Sequence, residues 1–270
     1  MPEHSDSFVE NGGTVAEPLL SVVIAAYNEA HIIADTVQRI ATFLHGKHSY
    51  EIVVVDDGSS DATLKILKEL ESRCPSLRVI RNGANRGKGY AMKQGILAAR
   101  GEIILCTDAD LAYSIEDAEN FQSVIHRGFD AAIGSRVHPG SLYSMHARYF
   151  PYIFQRHLIG RIFIVVVNLM FGLEISDTQC GFKVFRAGAA RDIFSRTRMT
   201  DFSIDVEVCT IARRLGYRIQ EMPVHFRYNG GKSSVRIMIS SFRMMLDLIR
   251  IRWNVRRGVY DRSGGREAAS

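Results

Sequence analysis

Asp108-Ala109-Asp110 closes an apolar run that begins at Ile103, so two carboxylates stand where a strand leaves its sheet. Paired hard oxygen ligands at such a point suit Mg²⁺ or Mn²⁺ bridging two phosphates, the site of a phosphorylated donor. Taken alone, the same triplet reads as a solvated acidic turn. Two further apolar runs end in the same manner. SVVIAAYNEA (21–30) delivers Tyr27, Asn28 and Glu29. EIVVVDDGSSDAT (51–63) delivers Asp56 and Asp57, with Gly58 for a tight turn and Ser59 or Ser60 to cap the next helix. Of the two carboxylates, Asp57 is the one expected to accept a hydrogen bond from the base or ribose of a nucleotide. NRGKGYAMKQG (85–95) adds Asn85, Gly87, Lys88 and Gly89 ahead of a helical pattern. A bare backbone, one lysine and a helix N-terminus together favour phosphate. The Ser or Thr that follows Gly-Lys in a P-loop is missing, and so is the GxGxxG of a dinucleotide site.

Three polar strand ends need a sheet to gather them. Short apolar strands at 20–26, 51–56, 77–81, 102–107 and 130–134 alternate with helical patterns at 29–45, 60–72, 88–99 and 115–127, which predicts an α/β fold around a mostly parallel sheet with right-handed crossovers. Ligands of such sheets bind along the carboxyl edge. Segments 180–186 and 217–226 are expected to complete the sheet, with helices at about 187–195 and 203–215 between them. From Arg136 the composition turns aromatic and basic, marking an acceptor region without a linker of its own.

At 270 residues and 46% hydrophobic content the chain supports one large domain, expected over 18–232. Residues 1–17 are polar, without the apolar stretch of a signal peptide, and read as a disordered leader, as do 258–270 as a tail. Four dispersed cysteines, with no CxxC spacing, read as reduced thiols in a cytosolic interior.

The net charge of +5 is unevenly placed: 227–257 holds eight basic residues against the single acid Asp247, on an otherwise slightly acidic chain. Met245, Leu246, Ile249 and Trp253 are interleaved with arginines, and Arg236, Arg243 and Arg250 recur every seven residues. A basic amphipathic helix over 233–257 with an aromatic anchor suits an anionic membrane surface better than nucleic acid, and an ordinary surface helix is the plain alternative. A second apolar stretch, 162–173, falls short of the roughly 20 residues that cross a bilayer. It is expected to be a buried helix or one lying in the membrane plane, so the expected location is peripheral, on the cytoplasmic face of a membrane, without a span.

SVVIAAYNEA, VVVDDGSSDAT, NRGKG, DAD, IGSR (133–136), DTQCGFK (177–183) and DVE (205–207), in that order, resemble the inverting family 2 glycosyltransferases of GT-A fold, and within them the polyprenyl-phosphate sugar synthases of the dolichyl-phosphate glucosyltransferase type. The likeness runs from about Leu20 to Trp253. It implies a donor site at Ala25, Tyr27, Glu29, Val55, Asp57, Lys88, Asp108 and Ala109; a Mg²⁺ or Mn²⁺ ion at Asp108 and Asp110; and Arg136 with Arg148 on the lipid phosphate, so that Asp108, Asp110 and Arg136 carry the reaction. It further implies a nucleotide sugar as donor, a UDP-sugar in preference to GDP-mannose, and a polyprenyl monophosphate as acceptor. Membrane lipids are implied as partners, nucleic acid is not, and a homo-oligomer stays open. Two departures stand out: Ala25-Ala26 replaces a common proline before Tyr27, and Ala112 replaces a glutamine found after DADL in mannosyl relatives. Glucose is the sugar implied, with mannose or an N-acetylhexosamine as alternatives. A saccharide hydroxyl as acceptor would need a carboxylate base, for which Asp177, Asp205 and Glu207 are the candidates.

Overall fold

The computed structural model describes residues 18–228 and 237–262. The leader at 1–17, the junction 229–236 with Lys232 and Arg236, and the tail beyond Arg262 lie outside the described residues.

Alternation of apolar strands and amphipathic helices gives β1 (Leu20–Ala26), α1 (Ile33–Leu44), β2 (Tyr50–Asp56), α2 (Thr63–Glu71), β3 (Leu77–Arg81), α3 (Lys88–Ala98), β4 (Ile103–Asp108), α4 (Ala118–His126) and β5 (Ala131–Ser135). Then follow β6 (Leu142–Met145), α5 (Phe150–Phe171), β7 (Lys183–Arg186), α6 (Ala187–Arg196), α7 (Ile204–Arg214), β8 (Ile219–Pro223), β9 (His225–Tyr228) and α8 (Ile237–Arg256).

The main sheet has seven strands in the order β3-β2-β1-β4-β7-β5-β8. From β1 the chain moves outward through β2 and β3, then returns to place β4 on the other side of β1. That reversal opens a crevice at the carboxyl ends of β1 and β4, the switch point at which open α/β sheets bind ligands. The strands read as unbroken apolar runs because both faces are covered. Val22, Ile24, Ile52, Val54 and Leu105 pack toward one core with Phe121, while Val23, Val53, Ile104 and Cys106 pack toward another with Ile193 and Ile211. Cys106, Cys180 and Cys209 are free thiols in the interior and Cys74 is half-buried, as expected.

The structure departs from the sequence expectations at four places. β7 enters between β4 and β5 antiparallel to both, an inversion that its short apolar pattern does not encode. The segment expected as a strand over 217–226 is divided at Val224: β8 closes the main sheet, whereas β9 pairs with β6 in a separate two-stranded sheet. The first helix starts at Ile33 rather than at Glu29, because Asn28 takes a left-handed φ of 57° that ends β1 in a turn. The 162–173 stretch is the second half of a helix that begins at Phe150, and the helical run from Ala147 to Phe171 is long and apolar enough to cross a membrane. Aromatic and polar residues before Ile162 hide that length from a search for unbroken apolar sequence.

Candidate active site

Strand register lines up the polar edge. Ala25 of β1 lies opposite Val55 of β2 on one side and Asp108 of β4 on the other, so three residues expected at a donor site share one row across the sheet. Beyond that row the loops are stitched together. Asn28 donates its backbone N–H to Ser59 Oγ at 3.0 Å, and its side-chain Oδ1 accepts from the Ser60 amide at 2.8 Å. Thr63 Oγ1 accepts from the Glu29 amide at 2.8 Å. Ser59 and Ser60 therefore brace Asn28 instead of capping α2, whose first amide is served by Asp61 Oδ1 at 2.9 Å. Tyr27 projects from this brace, 45% exposed.

Asp57 is buried and holds the next loop: it accepts from Asn82 Nδ2 at 2.7 Å, from the Arg86 amide at 3.1 Å and from the Gly87 amide at 2.8 Å. A carboxylate facing three donors anchors the NRGKG segment, a role invisible in the strand–turn–helix pattern. Lys88 then opens α3, and its ammonium lies 2.5 Å from Asp108 Oδ1.

Burial alone would raise the Asp108 carboxyl, but the charge of Lys88 and the hydrogen bond it donates hold it below the usual carboxylate range, with Lys183 and Arg136 adding to the effect. Asp110 moves the other way. Desolvation at the sheet edge and the charge of Asp108 raise it, against the hydrogen bond from the Ala112 amide, 3.1 Å from Oδ1, and the charge of Lys88. Glu29 is raised as well, by burial and then by the charges of Asp110, Asp61 and Asp108, against the opposing pull of His31. Carboxylates from three loops thus crowd one place, with Lys88 as their paired cation. Such an excess of negative oxygen fits a hard divalent cation. Among the described residues no three side chains form a ready-made ligand set. Asp108 and Asp110 supply two oxygens, which matches an ion that keeps water and takes donor phosphates as its remaining ligands.

Two elements distant in sequence support the DAD turn. Thr36 of α1 donates to the Ala109 carbonyl at 2.5 Å, and the Ala112 carbonyl accepts from the Arg227 amide of β9 at 2.7 Å. Gly181 of the DTQCGFK segment lies against Asp108 so closely that a Cβ there would collide with its carboxylate. Thr36 carried no signal in sequence, and Gly181 only its place in DTQCGFK, since their partners lie more than seventy positions away.

Arg136 follows β5 and is gripped in a fork: its Nε lies 2.7 Å from Asp177 Oδ2 and an Nη 2.9 Å from Oδ1. The Arg136 amide closes the arrangement at 3.0 Å. Glu221 fixes the far side of the fork by accepting from Ser176 Oγ at 2.6 Å and from the Ser176 amide at 3.0 Å. Asp177 is desolvated, which would raise it, yet Arg136 holds it below its ordinary value. About a third of the Arg136 side chain remains open to solvent, so the guanidinium can meet an incoming anion.

The other acids considered as bases are occupied. Asp205 accepts from Lys183 Nζ at 2.5 Å in a pair that is almost wholly buried. Glu207 is fully buried and accepts from the Arg198 and Met199 amides and from Tyr260 Oη. Arg148 stands apart from the fork: it is exposed, just ahead of α5, with its guanidinium 4.6 Å from the Tyr149 ring centroid.

Residues 21–194, from the first strand into α6, match the model of glycosyl transferase family 2. The chain belongs to that family. A dolichyl-phosphate beta-glucosyltransferase of Dictyostelium discoideum is 33% identical over 266 residues, covering 94% of this chain and 80% of the relative. The enzyme of the same description from Saccharomyces cerevisiae is 35% identical over 266 residues, covering 90% and 77%. Among solved structures, glucosyl-3-phosphoglycerate synthase of Mycobacterium tuberculosis, in complex with Mn²⁺, UDP-glucose and phosphoglyceric acid, aligns with a TM-score of 0.62 at 17% identity, covering 87% of this chain and 80% of that one. That likeness establishes the GT-A fold of this family 2 glycosyltransferase.

Proposed function

We propose that this family 2 glycosyltransferase moves glucose from UDP-glucose to a polyprenyl monophosphate of the dolichyl type, inverting the anomeric carbon to give a β-linked lipid phosphosugar. The observation that carries the reading is the pairing of a Lys88–Asp108 edge at the β1/β4 switch point with a forked arginine beyond it, in a chain a third identical over nearly its whole length to a dolichyl-phosphate beta-glucosyltransferase.

An acceptor phosphate is already ionised at neutral pH and needs no strong base. This agrees with an edge at which Asp177, Asp205 and Glu207 are all committed to other partners, and it disfavours a saccharide hydroxyl as acceptor. Arg136 orients the phosphate by two-point contact, and Lys88 with the first turn of α3 meets the donor diphosphate. One phosphate oxygen attacks the anomeric carbon as the bond to the UDP oxygen breaks, and the electron pair departs with UDP. When bound at Asp108 and Asp110, Mg²⁺ or Mn²⁺ supplies charge neutralisation on the leaving diphosphate. Tyr27, Glu29, Val55 and Asp57 surround the nucleoside end in this reading.

Attachment to the membrane is assigned to α5 and α8, which pack against each other. Phe150, Phe154, Leu158, Ile162, Val165 and Leu169 form an exposed stripe along α5. On α8, Ile249 and Trp253 share the exposed face with Arg243 and Arg250, and the exposed Arg257 follows the helix. Val167 on the opposite side of α5 is fully buried against the body, and the exposed Arg161 interrupts the apolar surface. A helix tied to a folded domain on one face and carrying a cation mid-length lies in the headgroup layer more cheaply than it crosses the bilayer. The protein is therefore read as peripheral.

Incubation of the protein with membranes and radiolabelled UDP-glucose, followed by organic extraction, should place label in the organic phase. Label confined to the aqueous phase, or labelling from GDP-mannose in preference to UDP-glucose, would overturn the reading.

A further inference from the structure

The donor loop is held from two sides. Asp57 grips it from the sheet, and the segment between α6 and α7 backs it from behind. The Thr200 carbonyl accepts from the Tyr90 amide at 3.0 Å. Gly87 has a φ of 98°, and a Cβ there would run into the same carbonyl; one at Gly89 would fall 2.9 Å from Asp201 O. Only a chain without side chains at 87 and 89 can lie this close, so the backbone beside Lys88 takes its shape from Thr200 and Asp201.

The two residues ahead of Thr200, Arg198 and Met199, are held by a buried carboxylate. Glu207 accepts from the Arg198 amide at 2.8 Å and from the Met199 amide at 2.8 Å. Its Oε1 also accepts from Tyr260 Oη at 2.6 Å, and Tyr260 is fully buried after the end of α8. Asn254 of α8 donates to Tyr260 Oη at 3.1 Å, and Ser203 donates to Asp247 of α8 at 2.8 Å. Hydrogen bonds run from α8 through Tyr260 and Glu207 to the Arg198 and Met199 amides of the 198–201 strut, and the backbone continues through Thr200 and Asp201 into contact with the loop that carries Lys88.

We infer that Glu207 and Tyr260 are positioning residues for the donor: through the 198–201 strut they set the conformation of the Gly87–Tyr90 backbone and so the placement of Lys88 against the nucleotide diphosphate. The inference rests on the proposed donor role of the NRGKG loop. Neither residue reaches that loop itself, so their removal should alter donor affinity while leaving the Arg136 fork, and hence the acceptor, undisturbed.

Tyr260→Phe keeps the ring packing and deletes one donor to Glu207, and Glu207→Gln replaces the acceptor of the two strut amides. For both, the KM for UDP-glucose should rise, by about three- to thirtyfold on the scale of couplings carried through packed networks. The KM for a short, water-soluble prenyl phosphate should stay within twofold of the parent's, roughly the scatter of independent sites. Amide hydrogen exchange in the Tyr260→Phe protein should quicken at 85–91 and 197–201 and stay unchanged at 133–137. Lys88→Ala serves as the reference. If it leaves the donor KM unaltered, the donor reading of the loop falls and the inference with it. If Lys88→Ala weakens the donor while Tyr260→Phe and Glu207→Gln do not, or if both substrates weaken equally, the positioning role is overturned and the donor reading stands.

Discussion

The ammonium of Lys88 lies 2.5 Å from Asp108 Oδ1 and ties the first turn of α3 to the end of β4. One cation thereby sits between the backbone that favours phosphate and the carboxylate expected to hold a metal. Among the described residues Asp110, two residues on, is in no salt bridge, and burial and the charge of Asp108 raise it.

This asymmetry separates the two acids experimentally. Asp110→Ala should abolish transfer while shifting the melting temperature little, because an exposed ligand contributes charge to the reaction rather than packing. EDTA should have the same effect on the parent. Transfer that survives either treatment at full rate would remove the metal from the reaction.

Gly181→Ala tests the support of the other acid. The added methyl meets the Asp108 carboxylate and must displace it or the Gly181 backbone. Overpacking of this kind costs about 1–3 kcal/mol. Activity should fall more steeply than the melting temperature, since the displaced group is the carboxylate paired with Lys88.

At Arg136 a lysine retains charge but loses the planar fork on Asp177. Arg136→Lys should raise the KM for prenyl phosphate about tenfold or more, the loss of a charge-assisted bond worth about 1.5–3 kcal/mol, and leave the donor KM near the parent's. Arg148→Ala should act on the same substrate more weakly, because its guanidinium is exposed and stacked on Tyr149. Initial rates with each substrate varied in turn settle both, and a change confined to the donor would move these arginines to the diphosphate.

The same ion pair predicts an acid limb of stability. Asp177 is depressed in the folded protein relative to the unfolded chain, so its contribution is present above the ordinary aspartate value and is lost as pH falls through the folded one. Melting temperatures should therefore drop below about pH 4, where unfolded aspartate takes up its proton. Asp177→Asn should be less stable than the parent at neutral pH, and the gap should close as acid is added. A gap that stays constant from pH 7 to pH 3 would show that Asp177 contributes by shape alone.

Replacing Arg243, Arg250 and Arg252 with glutamine should move the protein from vesicle pellet to supernatant, as each basic residue near an anionic surface is worth roughly 1 kcal/mol. Added salt should mimic the change in the parent. Turnover of a water-soluble prenyl phosphate should persist. If the triple variant pelleted as well as the parent at physiological salt, attachment would rest on the exposed stripe of α5.

Much of this architecture is legible along the chain, because strands, turns and their polar ends depend on neighbours. Apolar runs closing on Asn28, Asp57 and Asp108 foretell a sheet that gathers polar side chains along its carboxyl edge, and Gly87 and Gly89 beside Lys88 mark the turn that opens α3. What those acids do is settled elsewhere. Asp57 binds amides about thirty positions away, Asp177 reaches Arg136 across forty-one, and Glu207 meets Tyr260 across fifty-three. Such pairs are chosen when packing brings remote segments together and each buried polar group must find a partner, so a carboxylate that looks available for catalysis in sequence can be spent on holding a loop. The inverted β7 and the full length of α5 belong with them, since strand direction and the burial of one helix face depend on what the rest of the fold leaves uncovered.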